Sequence, residues 1–281
     1  MIRLLKLEYL KNLNYNPFRI FAGLYFIVLI LLLFIGLIDF DLAGLKVNLK
    51  EQGMYDFPGI WNFTTYIVGL LKIFLGCIIV FSICQEFSNR MFKQNIIDGL
   101  SREEFVASKL LTIFVFTGFS TLLVFIIAFI LGKSYSTTQE RDLIFKEIYF
   151  IFNYFLKLFT FFSFLMFLSV LFRKSIFVFL GFFMIWFVEG ILSGIEKFSL
   201  MNNVAPKEQG KIMIDHVFLT DYLPLGSMSN LIPSPLVRTN MAKMFGMEFK
   251  FEYPIGSVIA CAIWSVIFIA GSYWILKKKD W

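Results

Sequence analysis

A chain of 281 residues that is 58% hydrophobic and only 16% charged, with 38 phenylalanines, is not composed as a soluble domain. Several apolar runs exceed the roughly 18–20 residues that cross a ~30 Å hydrocarbon layer. The net charge of +6 comes from basic residues flanking those runs, as in most membrane proteins, and points to no nucleic-acid partner.

A spanning segment must satisfy its own backbone hydrogen bonds, so the runs predict helices. They are too continuous for the alternating strands of a membrane barrel. The expected fold is an all-α integral membrane protein, one transmembrane domain over 1–281. Residues 1–17 carry Arg3, Lys6 and Lys11 beside Ile2, Leu5, Tyr9 and Leu13, and read as an amphipathic helix on the membrane surface. The run 20–38 is too long for a signal-peptide core and no small-residue cleavage site follows it, so it predicts a retained first span. A polar loop ends at Trp61, and 62–83 makes the second span. The third covers 107–131, the fourth 148–171, the fifth 175–195 and the sixth 255–276. A 58-residue loop over 196–253 separates the last two. Within it, 218–237 is apolar, interrupted by Pro224, Pro233 and Pro235, and too short to span; it predicts an interfacial or re-entrant element.

Residues 85–110 are polar and charged, wedged between spans two and three. Residues 85–97 are expected to continue the preceding helix. Asp98 and Gly99 signal a turn, and Ser101 with Glu104 matches the S-x-x-E capping box that opens a new helix. The charges cancel: Arg90, Lys93, Arg102 and Lys109 against Glu86, Asp98, Glu103 and Glu104. This describes a surface shaped to meet a protein rather than a phosphate.

Short loops on the side holding both termini and 85–110 contain thirteen lysines and arginines, against five on the other. Both termini are therefore expected in the cytoplasm. On this orientation the long loop is extracytoplasmic, where it either caps the bundle or receives an outside partner.

Lys72, Lys157 and Glu189 lie inside spans two, four and five, between mid-membrane and the outer leaflet. Ionisable groups there cost about 2.5–3.5 kcal/mol on insertion scales unless paired or wetted. They are either polar elements of a translocation pathway or an interhelical Glu189–lysine pair with the other lysine snorkelling. Gly132, Lys133 and Ser134 lack the earlier glycine of a P-loop, Ile127 standing in its place. No nucleophile–base set is readable. The single His216 and the scattered Cys77, Cys84 and Cys261 make no metal-ligand set or disulfide framework. No catalytic residue, metal or cofactor is expected in this chain.

Taken together the chain resembles the permease subunits of type-two ATP-binding-cassette exporters. Six spans with both ends inside, an amphipathic N-terminal helix and a large outer segment before the last span match in topology. The most specific match is the run E-F-x-x-(G/R)-T-x-K-x-x-I-x-x-G-x-S-R-x-x-F-x-x-x-K that such permeases often carry. It stands here as Glu86, Phe87, Arg90, Met91, Lys93, Ile96, Gly99, Ser101, Arg102, Phe105 and Lys109, with Met91 in the usual threonine position.

The resemblance implies that 85–106 is a cytoplasmic coupling helix docking on a separate ATPase subunit, which binds the ATP and magnesium. Phe105 would anchor in the ATPase groove, and Arg102, Glu103 and Glu104 would set orientation. It also implies a second permease copy, identical or not, and a bacterial cytoplasmic membrane. Two other readings stay open: a scaffold or sensor subunit that moves no substrate, and an ion-driven secondary transporter. The latter calls for matched halves that the sequence does not display.

Overall fold

Each long apolar run forms helix, as backbone groups shut away from water require. The computed structural model describes residues 15–35, 40–42, 45–47, 53–136, 140–202, 217–235 and 253–278. Of the surface helix expected over 1–17, residues 1–14 lie outside this description. So do His216 and, in the long loop, 203–216 and 236–252.

Helix α1 (Asn16–Ile35) leads to a small antiparallel hairpin, β1 (Phe40–Leu42) and β2 (Leu45–Val47), with Phe40 opposite Val47. Then come α2 (Gly59–Leu70), α3 (Lys72–Ser88), the short α4 (Met91–Ile97) and the long α5 (Arg102–Tyr135). One turn, α6 (Arg141–Ile144), precedes α7 (Tyr149–Phe172) and α8 (Ser175–Asn202). A 3-10 turn (Leu219–Tyr222) and α9 (Pro224–Asn230) lead into α10 (Ile255–Lys278). Among the described residues, four stretches, lying in α5, α6 to α7, α8 and α10, are long and apolar enough to cross a membrane; α2 with α3 makes a fifth if that bent pair is one span.

The second span is not the single straight helix expected over 62–83. It bends by 43° between α2 and α3. At the break the Leu71 amide bonds Val68 O at 2.9 Å and the Phe74 amide bonds Leu71 O at 3.0 Å. These three-residue closures tighten the turn and redirect the axis. Each half then meets a different neighbour. On α2, Trp61 stacks on Phe125 of α5 with ring centroids 5.5 Å apart. On α3, Gly76 faces α7 so closely that a Cβ there would stand 2.6 Å from Leu165 Cδ1.

Helix α7 is the centre of the bundle. Phe150, Tyr154, Leu158, Phe161, Phe162 and Leu165 are all buried, and α10, α3, α5 and α8 pack around it. A buried hydroxyl chain ties three helices: Tyr25 to Ser120 at 2.7 Å, and Ser120 to Tyr154 at 3.0 Å. By contrast α8 lies at the edge and leaves Phe183, Trp186 and Phe187 exposed. At the end of the bundle where α7 begins, the proline-broken segment 217–235 is docked on the helices, with Met228, Leu231 and Ile232 buried. Its carbonyls at Leu231 and Pro233 accept from Asn153 (2.9 Å) and Asn62 (3.0 Å).

Candidate functional site

At the opposite end of the bundle, α3, α4 and α5 form an elbow. Residues 85–97 do not continue one helix as expected. Helix α3 stops at Ser88, Arg90 turns left-handed with φ 57°, and α4 starts in a new direction at Met91. The far end of α4 closes with paired bonds, Leu100 N to Asn95 O (2.9 Å) and Gly99 N to Ile96 O (3.1 Å). This is the Schellman arrangement, and it places Gly99 at φ 96°, where a Cβ would be strained. Helix α5 then opens with the expected capping box: the Glu104 amide donates to Ser101 Oγ (3.1 Å), and the Ser101 amide donates to Glu104 Oε2 (2.8 Å). That Ser101 amide holds the Glu104 carboxyl below the ordinary glutamate range.

The elbow has an inside and an outside. Inside, Phe87, Phe92 and Phe105 form an aromatic triangle, the Phe92 and Phe105 rings meeting edge to face at 4.8 Å. Val106, Val170, Ile275 and Leu276 close this second, smaller core. Beneath it Glu86 and Lys109 form a buried ion pair. Phe105, expected as an outward anchor, is only 2% exposed. It is a bolt of the elbow, because its ring completes the apolar contact between the end of α3, α4 and the start of α5. Glu86 faces inward as well, paired with Lys109.

Outside, Arg90, Lys93, Asp98, Gly99, Ser101, Glu103 and Glu104 are exposed. Ile97, at 83% exposure, is the large apolar side chain that the elbow presents to solvent. Arg102 and Glu103 also hold the elbow to the end of α10. The Arg102 guanidinium donates to Lys277 O (2.6 Å), and Tyr273 Oη donates to Glu103 Oε1 (2.7 Å).

The three ionisable residues expected inside the spans divide between two surroundings. Lys72 and Glu189 line one cleft of about 500 Å³ between α3, α8 and the docked segment, with Phe182, Phe183 and Trp186 as its aromatic wall. Lys72 Nζ sits 4.7 Å from the centre of the Phe161 ring. Lys157 lies behind it: a Cβ at Gly69 would be 3.8 Å from its Nζ, and it is one turn before Phe161 on α7. Glu189 does not make the lysine pair that was one of the two expectations. Its oxygens accept from the amides of Leu225 (3.0 Å) and Gly226 (3.1 Å), at the start of α9, where the helix dipole favours a negative charge.

Glu196 belongs with this site and was not singled out from the sequence. It accepts from the Leu219 amide (2.7 Å), the Thr220 amide (3.0 Å) and Thr220 Oγ1 (2.6 Å). Glu189 and Glu196 are two turns apart on α8, so together they staple the docked segment to that helix. Two acids seven residues apart on an apolar helix were the available signal. Among the described residues no cluster of metal-ligating side chains occurs. A family model described as "ABC-2 family transporter protein" matches residues 26–281. No curated protein and no solved structure matches the chain.

Proposed function

The chain belongs to the ABC-2 family of transporter proteins and is an integral membrane protein, and from that premise we propose that it is the permease subunit of an exporter driven by a separate ATPase. The observation that carries this reading is the elbow: a short helix braced at both ends, bolted from inside, with an exposed apolar tip at Ile97. Such an element transmits force, because it moves with α3 and α5 rather than flexing against them. ATP and magnesium are held by the partner. Closure of the ATPase dimer moves the elbow, and the bundle shifts between two packings. Ile97 and Asp98 contact the ATPase, with Glu104 and the outer face of Glu103 around them.

Six spans follow if the 20-residue α1 and the bent α2–α3 pair each count as one. Arg90, Lys93, Arg102, Arg173, Lys174, Lys277 and Lys278 gather at the elbow end, which supports a cytoplasmic elbow and cytoplasmic termini. The apolar surface of α8, with open space above Gly190 and Gly194, suits a second permease copy. The Lys72–Glu189 cleft, apolar on one wall and charged on the other, is where an amphipathic cargo would sit. Its neighbouring segment, 217–235, is the surface an outer partner would meet.

The test is co-purification of an ATPase from the neighbouring gene products. Wild type retains it; Ile97→Asp and Asp98→Lys weaken retention about tenfold or more while the chain stays folded. Equal retention by wild type and both variants removes the coupling assignment.

A further inference from the structure

A second pocket lies beside the elbow, outside the coupling tip. It encloses about 370 Å³ between the end of α3, the start of α4 and the turn joining α7 to α8. Phe87 and Phe92 form its floor, and Arg90, Lys93, Arg173 and Lys174 surround it. Among the described residues no acidic side chain lines it. Four cations so placed repel one another and leave a strong local field for an anion.

The backbone gives an independent observation. Arg90 (φ 57°) and Arg173 (φ 63°) are the non-glycine residues with positive φ among those described, and both line this pocket. Glycine would adopt that conformation without strain. Here the left-handed turns instead carry two arginines, from segments 83 residues apart, to one place. Arg173 caps the end of α7 and Arg90 follows the end of α3, and strained non-glycine residues of this kind cluster at ligand sites.

Depth selects the occupant. Two of its walls, the end of α7 and the turn into α8, belong to helices long and apolar enough to cross a membrane, so a pocket there suits a headgroup at the membrane edge. In the first turn of α8, next to Lys174, Ile176 (72% exposed) and Phe177 (49% exposed) present apolar side chains.

We propose that this pocket binds the phosphate headgroup of an acidic bilayer phospholipid. The four cations hold the phosphate, and the acyl chains lie along the apolar start of α8. The bound lipid bridges α4 to the α7–α8 turn, so it braces the elbow against the bundle. Basic pockets between helices on one membrane face recognise headgroups by this chemistry. The inference needs a membrane but no ATPase, so it stands or falls apart from the coupling assignment.

The experiment is native mass spectrometry of the purified full chain, titrated with dioleoylphosphatidylglycerol or dioleoylphosphatidylcholine. Wild type retains the acidic lipid about tenfold better. Arg90→Gly and Arg173→Gly remove charge where glycine fits the backbone, so folding is preserved; each weakens retention about fivefold. Lys93→Gln and Lys174→Gln do the same. Several results overturn the proposal: equal retention of the two lipids, or variants that bind as wild type. Glycerol phosphate or inorganic phosphate displacing the lipid at equal concentration would make this a free-anion site. Variants that keep lipid selectivity but lose a co-purifying ATPase would assign the pocket to that protein.

Discussion

The Glu86–Lys109 pair shows how a charge becomes part of a core. Both side chains are buried at the base of the elbow, and Lys109 Nζ also lies 5.3 Å from the centre of the Phe105 ring. Removing one partner strands the other away from water, which destabilises by about 3–5 kcal/mol. Replacing both by apolar residues of similar volume avoids that penalty. Glu86→Gln or Lys109→Met therefore lowers the thermal midpoint sharply in nanodiscs, whereas the Glu86→Leu/Lys109→Met double variant recovers most of the loss. A double variant worse than either single would mean the pair does more than fill the elbow. Glu104 makes the opposite case, since it is fully exposed and works through its charge. Its carboxyl is held below the ordinary glutamate range, so the capping box is stabilising above that range. The contribution fades as pH falls through the lowered value. Carboxyl NMR of the labelled chain should find Glu104 titrating below the other exposed glutamates. A titration at the ordinary value would mean the box is open in solution.

Helix α3 reaches α7 through Gly76, where a Cβ would meet Leu165 at 2.6 Å and Phe161 at 3.0 Å. Gly76→Ala should separate the two helices locally and cost about 1–3 kcal/mol. It should also move the Phe161 ring from under Lys72, detectable as a changed spectrum of fluorine-labelled phenylalanine. An unchanged midpoint and spectrum would mean that the helices part without cost. The sequence made several elements legible because their causes are local. Asp98 and Gly99 signal a turn by themselves, and Ser101 and Glu104 form a box across one turn. The bend at Leu71 was not legible, since Gly69 just before it is a signal that many apolar helices carry without bending, and its halves follow tertiary partners on α5 and α7. Nor was the break at Arg90, because arginine carries no signal for a left-handed turn. Phe105 was misread for a related reason: a motif position says that a residue matters, not which way its ring points. Glu189 and Glu196 find their partners on α9 and the 3-10 turn, far along the chain, and no sequence spacing joins those.

At the scale of the molecule, the basic side chains define one end and the docked segment the other. Arg90, Lys93, Arg173 and Lys174 surround one pocket, and Arg102 reaches Lys277 at the same end. Glu189 and Glu196 hold the Leu219–Tyr222 turn and α9 at the far end. If positive charge fixes orientation, these ends face different compartments. Ile97 and Leu219, at 83% and 79% exposure, are markers for the two. Cys77, Cys84 and Cys261 are free thiols and can be changed to alanine first to clear the background. Leu219→Cys should then react with a membrane-impermeant maleimide on intact cells. Ile97→Cys should react only after the membrane is opened. The reverse pattern would place the elbow outside the cell, beyond reach of any cytoplasmic ATPase, and would end the coupling reading at once. Labelling of both on intact cells would mean that the bundle does not hold its two ends apart, which a sealed permease must do.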